Sequence, residues 1–587
     1  MSLSGSFVGG AYHDLSVSSK MLITSVLLIA LQSTIVLSSS LSRCSVQFSE
    51  GSSSGVGVLN TTFNNVPYCE YLGVRYGEAG RFQDSSVYTP KGLENYTKYR
   101  SVCAQLDDMN RPIVVIGEED CFFVNIFSPE IKFREDGTRK LLPVLVFIHG
   151  GGFTIGSASF DVAGVDLLME QEIVVVSINY RLDVLGFLHY PKLNITGNYG
   201  LKDQQTALRW INRYIESFGG DPSKLTLMGQ SAGAASVNYH MYSDQSRGLF
   251  QQAALLSGSF LAPWAFSHDP EPRVEKYFEY LGLPEPTRED LLNRDFQQFF
   301  FLNDTSRWLA VVFNTIAFPW FVPTTDSSSD PNPFMTLTPY EMLVRKPILD
   351  VPLLVGHTLT EFELHLGYVK FYYSDFASYP NGKNETLTVM LDAIVHAMAN
   401  YSADMGITRD RSEFFQKLGN IADMVFPVEY FLEKVIDRGQ TAPIFVYRFD
   451  FDGKFGMYKH DMFKNAMKNA SYGAIHGDDL GYIFTPYNAR EALKRRDDFK
   501  EEWKIHREMV ELVSNFVKNG NPSSSELKWN SYNKQMNNNN YLKIAETFHM
   551  ENGPMSDPLY YDFWKTLHDC LYYFECSTIQ ETLNTIS

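Results

Sequence analysis

The stretch Leu225-Thr-Leu-Met-Gly-Gln-Ser-Ala-Gly-Ala-Ala-Ser-Val237 decides how the rest of the chain is read. Its first four residues have the apolar character of a buried strand, and a helix is expected to open at Ala232. Between them Gly229-Gln230-Ser231-Ala232-Gly233 makes a G-x-S-x-G pattern. In such a strand–turn–helix corner the serine holds a strained backbone that lifts its hydroxyl clear of the sheet. A side chain at position 229 or 233 would collide with the elements packed against the corner, which accounts for both glycines. The following helix points the positive end of its dipole at the place where negative charge would develop in an attack by Ser231. The pentapeptide alone also fits an ordinary glycine-rich loop. The strand before it and the helix after it favour a nucleophile.

Upstream, residues 141–148 form a continuous apolar run of strand length, suited to a strand buried on both faces of a parallel sheet. His149-Gly150-Gly151-Gly152-Phe153 follows directly. Three consecutive glycines can turn backbone N–H groups towards an anion, which is how an oxyanion hole is built. Residues 172–179 read as another buried strand, and residues 202–218 as a helix with Leu208, Ile211 and Ile215 on one side. Downstream, residues 251–258, 351–355, 443–450 and a segment near Tyr541 read as strands, and residues 503–518 and 563–574 as helices. The alternation is that of an α/β sheet. Residues 270–329 look less regular. Their Trp308, Phe318, Trp320 and Phe321 suit either a wall over the site or core packing.

Composition bounds the class. With 44% hydrophobic and 20% charged residues in 587, a large core is available, and a net charge of −18 argues against a nucleic-acid backbone as partner. Lys20, the apolar run opening Met21-Leu-Ile-Thr-Ser-Val-Leu-Leu-Ile-Ala-Leu31 and the small residues Ser38 to Ser40 have the layout of a signal peptide over residues 1–40. A functional start at Met21 is also compatible with it. Gln32, Ser33 and Thr34 interrupt the run, so no stable membrane span is expected. Residues 41–576 are expected to form one domain, and residues 577–587 a polar tail without a lipid-anchor signal. Six cysteines, an even number, and seven sequons at Asn60, Asn95, Asn194, Asn303, Asn384, Asn400 and Asn469 agree with a secreted glycoprotein. Cys103 and Cys121 are expected to close a surface loop, whereas Cys44, Cys69, Cys570 and Cys576 allow three pairings. No His-Glu-x-x-His and no paired Cys-x-x-Cys occurs, so no metal site is expected.

A nucleophilic serine needs a base, and the base needs an orienting acid. Ser231, then Glu361 after a strand, then His476 on a glycine-flanked loop supply these in the order serine, acid, histidine. With Gly117-Glu-Glu-Asp-Cys121, Asn179-Tyr-Arg-Leu182, Gly197-Asn-Tyr-Gly-Leu-Lys-Asp-Gln204 and Phe218-Gly-Gly-Asp-Pro222, the chain resembles the carboxylesterase and cholinesterase-like (type-B carboxylesterase) family of α/β-hydrolases over about residues 58–574. The texture around His476 resembles arthropod members most. The resemblance implies an α/β-hydrolase fold, with a mostly parallel central sheet and helices on both faces. It implies Ser231 as nucleophile, His476 as base, Glu361 as acid, and the N–H groups of Gly151, Gly152 and Ala232 as the oxyanion hole. It also matches Cys103 and Cys121 to the family's first disulfide loop. One departure concerns the acid, where the family has Glu-Gly and this chain has Glu361-Phe362, with Glu363 as the fallback.

The implied activity is hydrolysis of a small carboxylic ester through an acyl-enzyme, with no cofactor. Cholinesterases hold a quaternary ammonium on a tryptophan in the loop between the first two cysteines. Here residues 104–120 contain no aromatic residue, so uncharged, fairly apolar esters are expected instead. Gln230 resembles the Gly-Gln-Ser-Ala-Gly of juvenile-hormone esterases, which makes a hormone hydrolase the alternative. An alternative of another class is a non-catalytic adhesion or ligand-sequestering member of the family.

Overall fold

The largest sheet among the described residues has eleven strands, with one three-stranded and three two-stranded sheets beside it. In chain order its strands are β1 (Val58–Thr61), β2 (Pro67–Arg75), β3 (Phe123–Pro129), β4 (Leu142–Ile148), β5 (Val174–Ile178), β6 (Gly220–Gln230), β7 (Gln252–Leu256), β8 (Leu353–Thr358), β9 (Ile444–Phe449), β10 (Asn540–Ile544) and β11 (Phe548–Asn552). Across the sheet they run β11-β10-β9-β8-β7-β6-β4-β5-β3-β2-β1. From β5 through β10 every neighbouring pair is parallel. The edges are antiparallel, β1, β2 and β3 on one side and β11 on the other. The fold is an α/β-hydrolase. The computed structural model describes residues 43–50, 52–107, 114–159, 163–300, 321–327, 330–361, 421–456, 473–486, 498–532 and 540–576.

The apolar runs of the central strands follow from this topology. Val144, Val146 and Ile148 of β4 belong to one core, and Leu145 and Phe147 to the other, because successive side chains leave opposite faces of a strand. The first core is covered by helices α1 (Tyr199–Tyr214), α2 (Ala232–Tyr242), α3 (Phe426–Asp437) and α5 (Pro558–Tyr573). The second is covered by α4 (Lys500–Asn519), which buries Ile505, Met509, Val513 and Phe516 on one stripe. Parallel strands covered on both faces leave only their carboxyl ends open for a site.

Local chemistry shifted several boundaries. Helix α1 opens at Tyr199 rather than at 202, because Asn198 takes a left-handed conformation (φ 55°) that turns the chain into the helix. The stretch from 270 is more regular than its composition suggests. It holds helices Glu271–Tyr280 and Arg288–Asn293, the first burying Val274, Tyr277 and Phe278 and the second started by a Thr287–Asp290 capping box. Phe321 packs edge-on against Tyr277 at 4.8 Å, so this aromatic serves the core. Trp308, Phe318 and Trp320 lie outside the described residues, as do residues 1–40, 577–587, Phe362, Glu363, Asn303, Asn384, Asn400 and Asn469.

The cysteines pair as Cys44–Cys69, Cys103–Cys121 and Cys570–Cys576. No helix among the described residues is long and apolar enough to cross a membrane.

Candidate active site

Ser231 stands in the corner between β6 and α2 with φ 57° and ψ −123°, a backbone region that non-glycine residues avoid. Its amide donates to the Leu256 carbonyl at 2.9 Å, and its carbonyl accepts from Ala235, so neighbouring elements hold the strain. The glycines on either side have identifiable neighbours. A Cβ on Gly229 would lie 2.2 Å from the Gly233 carbonyl, and one on Gly233 would lie 2.1 Å from the Ile148 oxygen. Ala232, the residue after the serine, begins α2.

The glycine loop after β4 lies against this corner. A Cβ on Gly150 would stand 2.8 Å from the Ser231 Cβ. Gly151 and Gly152 have φ of 100° and 61°, and a Cβ on Gly152 would meet nothing nearer than Thr154 Oγ1 at 3.9 Å. The loop is fastened from both sides. His149 stacks on Tyr180 at 4.5 Å, and the Tyr180 hydroxyl donates to the His149 carbonyl. Burial pushes the His149 imidazole down to about 4, so it stays neutral beside the loop. From the Cys103–Cys121 loop, Gln105 donates through Nε2 to the Gly156 carbonyl at 2.9 Å and accepts from the Gly156 amide at 2.7 Å.

Glu361 and His476, the expected acid and base, lie on two loops joined through their backbones. Glu361 follows β8, and the Thr360 amide donates to Ala474 while the His476 amide donates to the Glu361 carbonyl. Gly473 and Gly477 have φ of 77° and 75°, which lets the second loop turn on either side of His476. His476 Nδ1 lies 2.6 Å from Glu361 Oε2, and the Thr358 amide donates to Glu361 Oε1 at 2.7 Å. The Glu361 side chain is fully buried. Burial raises its pKa, but the hydrogen bond from His476, the charges of His476 and His357 and the nearby Ser257 hydroxyl together hold it below the ordinary carboxylate value. Gln230, next to Ser231, brings its amide nitrogen to 3.0 Å from His476 Nε2.

Several residues around these loops were not singled out from sequence. Asp478 accepts from the Ile475 amide and shapes the histidine loop. Asp479 accepts from the Tyr447 hydroxyl at 2.6 Å, and burial, with Glu361 adding to it, pushes its pKa up to about 6. Among the described residues no group of three or more His, Cys, Asp or Glu could hold a metal ion.

Residues 44–564 match the Carboxylesterase family. The chain belongs to that family. It is 30% identical to the juvenile hormone esterase of Tribolium castaneum over 512 residues, which cover 81% of this chain and 84% of that one. It is 28% identical to a carboxylic ester hydrolase of Bombus ignitus, covering 79% and 83% of the two chains. Venom carboxylesterase-6 of Apis mellifera is 29% identical, with 85% and 90% covered. Among solved structures, the crystal structure of juvenile hormone esterase from Manduca sexta with OTFP covalently attached superposes with a TM-score of 0.72 at 24% identity. It covers 89% of this chain and 99% of the other, a likeness of fold. As a carboxylesterase-family member the chain is an enzyme, a carboxylic ester hydrolase acting on small esters.

Proposed function

We propose that this chain is a secreted serine esterase that hydrolyses carboxylic esters of uncharged, fairly apolar substrates through Ser231, His476 and Glu361. The observation that carries the reading is the 2.6 Å contact between His476 Nδ1 and Glu361 Oε2, on loops that meet the strained Ser231 corner. With its Nδ1 proton given to the carboxylate, the imidazole presents at Nε2 a lone pair that faces the Gln230 amide at 3.0 Å and accepts a proton when the Ser231 hydroxyl takes that place. His476 takes the Ser231 hydroxyl proton as the oxygen attacks the ester carbonyl carbon. The carbonyl oxygen becomes an oxyanion received by the N–H groups of Gly151, Gly152 and Ala232, and removing one such donor costs roughly 2.7–4 kcal/mol of barrier. The intermediate collapses, the imidazolium returns its proton to the departing alkoxide, and an acyl-serine remains. Water, deprotonated by the same histidine, attacks the acyl carbon; the bond to the Ser231 oxygen then breaks, that oxygen takes the proton back from the imidazolium, and the acid leaves.

Secretion and a single domain over residues 41–576 belong to the same reading. Their support is the signal-like start, the three disulfides and a relative named for venom. The substrate class rests on the aromatic-free loop between Cys103 and Cys121, which offers Gln105 to the glycine loop and no ring to a cation. A second reading, a juvenile-hormone hydrolase, is favoured by Gln230 in the corner and by the relative of that name at 30% identity.

The test is hydrolysis of a short chromogenic acyl ester by the secreted protein beside Ser231→Ala, with organophosphate titration. Burst release and one-to-one labelling, both lost in the variant, are expected. Turnover by Ser231→Ala would sink the reading. Competition between the chromogenic ester, an acylcholine and juvenile hormone separates the substrate classes by kcat/KM.

A further inference from the structure

A second histidine–glutamate pair stands behind the first. His357 lies on β8, four residues before Glu361, and is 1% exposed. Its Nδ1 is 2.8 Å from the Thr358 carbonyl, which only accepts, so Nδ1 carries a proton. Its Nε2 lies 3.5 Å from Glu429 Oε1, on α3, with 2% and 11% of the two side chains exposed. Neither that nitrogen nor that oxygen has a hydrogen-bond partner among the described residues, so their approach is an ion-pair contact and not a hydrogen bond. Ser556 donates to the other oxygen, Glu429 Oε2, at 2.9 Å. A buried imidazole and a buried carboxyl so placed each lower the cost of charging the other.

The pair connects directly to the acid of the site. The residue whose carbonyl accepts from His357 is Thr358, and the amide of the same Thr358 donates to Glu361 Oε1 at 2.7 Å. Glu361 then meets His476. A cation at His357 is therefore linked through Thr358 alone to the carboxylate that must balance an imidazolium during turnover.

The other charged and titratable groups nearby are accounted for. On β9, Arg448, opposite His357 in the ladder, is held by Asp450 and the Met555 carbonyl. Tyr447, opposite Gly356, donates to Asp479. On β10 the Tyr541 ring lies beneath Arg448. Tyr561 of α5 donates to Glu433, which also meets Lys565. Tyr532 faces Glu429 and Glu433, and burial chiefly keeps its hydroxyl protonated. On the β7 side stands the Ser257 hydroxyl. Among these, Glu429 and Glu361 are the negative groups that face His357, and burial opposes its charge while Glu429, the Thr358 carbonyl and Glu361 more than restore it, leaving its pKa above the ordinary imidazole value.

We propose that His357, charged by its pairing with Glu429, is a positioning residue for the Ser231–His476–Glu361 site, fixing the Thr358–Glu361 turn and placing a positive charge behind the Glu361 carboxylate. This rests on the site reading given above. Its consequence is activity that extends to lower pH than it would without the buried cation.

The experiment compares pH profiles of kcat/KM for the parent, His357→Asn, Glu429→Gln and the double variant, on the same chromogenic ester. Asn can still donate to the Thr358 carbonyl but carries no charge. The acid limb of each single variant is expected to move to higher pH by about half a unit or more, with kcat/KM near parental above pH 8. The double variant is expected to show no larger shift than either single one, because each already removes the cation. Acid limbs that superimpose on the parent's would overturn the inference and leave a packing pair. Should the variants not fold, histidine-labelled parent protein answers by NMR. Two ring N–H protons on His357 at pH 7.5 support the proposal, and a neutral ring overturns it. Turnover kept by Ser231→Ala would overturn the site reading and this inference with it. An unchanged acid limb with Ser231→Ala inactive overturns this inference alone.

Discussion

Gln230 Nε2 lies 3.0 Å from His476 Nε2, so the residue just before the expected nucleophile faces the expected base. Its carbonyl oxygen is buried without a hydrogen-bond partner among the described residues. The amide is neutral, and it solvates the imidazole without favouring the charged ring as a carboxylate would. In Gln230→Glu an anion replaces it at hydrogen-bond distance. The acid limb of kcat/KM is expected to rise by about one pH unit, with activity at pH 8–9 within about tenfold of the parent. The pH profile of the purified variant checks this. An unmoved acid limb would show that position 230 does not face the base in solution.

Ile148 and Gly233 set the tolerance of the corner. The Ile148 carbonyl would stand 2.1 Å from a Cβ at position 233, and it is backbone that cannot rotate away. Gly233→Ala is expected to displace α2 from β4, lowering stability by about 1–3 kcal/mol or more and abolishing burst labelling by an organophosphate. Ala234→Gly, one residue on in the same helix, should keep labelling and cost about 1 kcal/mol. Thermal unfolding with active-site titration separates the two, and equal labelling of both variants would remove the steric account of the glycine.

What was legible in the sequence was what depends on local pattern. The apolar runs that became β4, β5 and β6 could be read because strands buried on both faces leave no polar alternation. That Ser231, Glu361 and His476 are candidates for one site could be read from order and flanking glycines, and the structure brings Glu361 and His476 within 2.6 Å of each other. The role of Gln105 was hidden, because its bond to Gly156 joins positions 51 residues apart through a loop closed by a disulfide. The pairing of His357 with Glu429 was hidden for the same reason, since nothing near either residue marks the other. Helix Glu271–Tyr280 was obscured by the Phe, Trp and Pro content of its surroundings, although its own Val274, Tyr277 and Phe278 follow helical spacing.

The sequons divide by exposure. Asn95 is exposed, with the Thr97 hydroxyl donating to its side-chain oxygen at 2.7 Å, and Asn194 is exposed in a left-handed turn with φ 55°. Asn60 is half-buried, and its side-chain nitrogen already donates to Glu70 at 2.9 Å. If the chain is secreted, Asn95 and Asn194 are expected to be fully glycosylated and Asn60 the least of the three. Glycopeptide mass spectrometry of protein from a secreting eukaryotic host gives the occupancies. Full occupancy at Asn60 with bare Asn95 would reverse the ranking, and unmodified protein in the medium would remove glycosylation from the reading.

Asp183 makes stability depend on pH in the sense opposite to a paired carboxylate. It is 7% exposed, with φ 49°, and burial pushes its pKa from 3.8 up to about 7, only partly offset by a hydrogen bond from the Val184 backbone. Between those values the folded chain keeps a proton on Asp183 that the unfolded chain has released. Stability from this group is therefore present below pH 4 and is lost as pH rises to about 7, by at most about 1.4 kcal/mol per pH unit. Asn is neutral in both states and tolerates a positive φ. Asp183→Asn is expected to match the parent near pH 4 and to exceed it by a margin that grows up to pH 7 and is constant above. Urea unfolding of both proteins at pH 4.5, 6 and 8 measures that margin. A margin of the same size at all three values would show that Asp183 is ionised in the folded protein throughout.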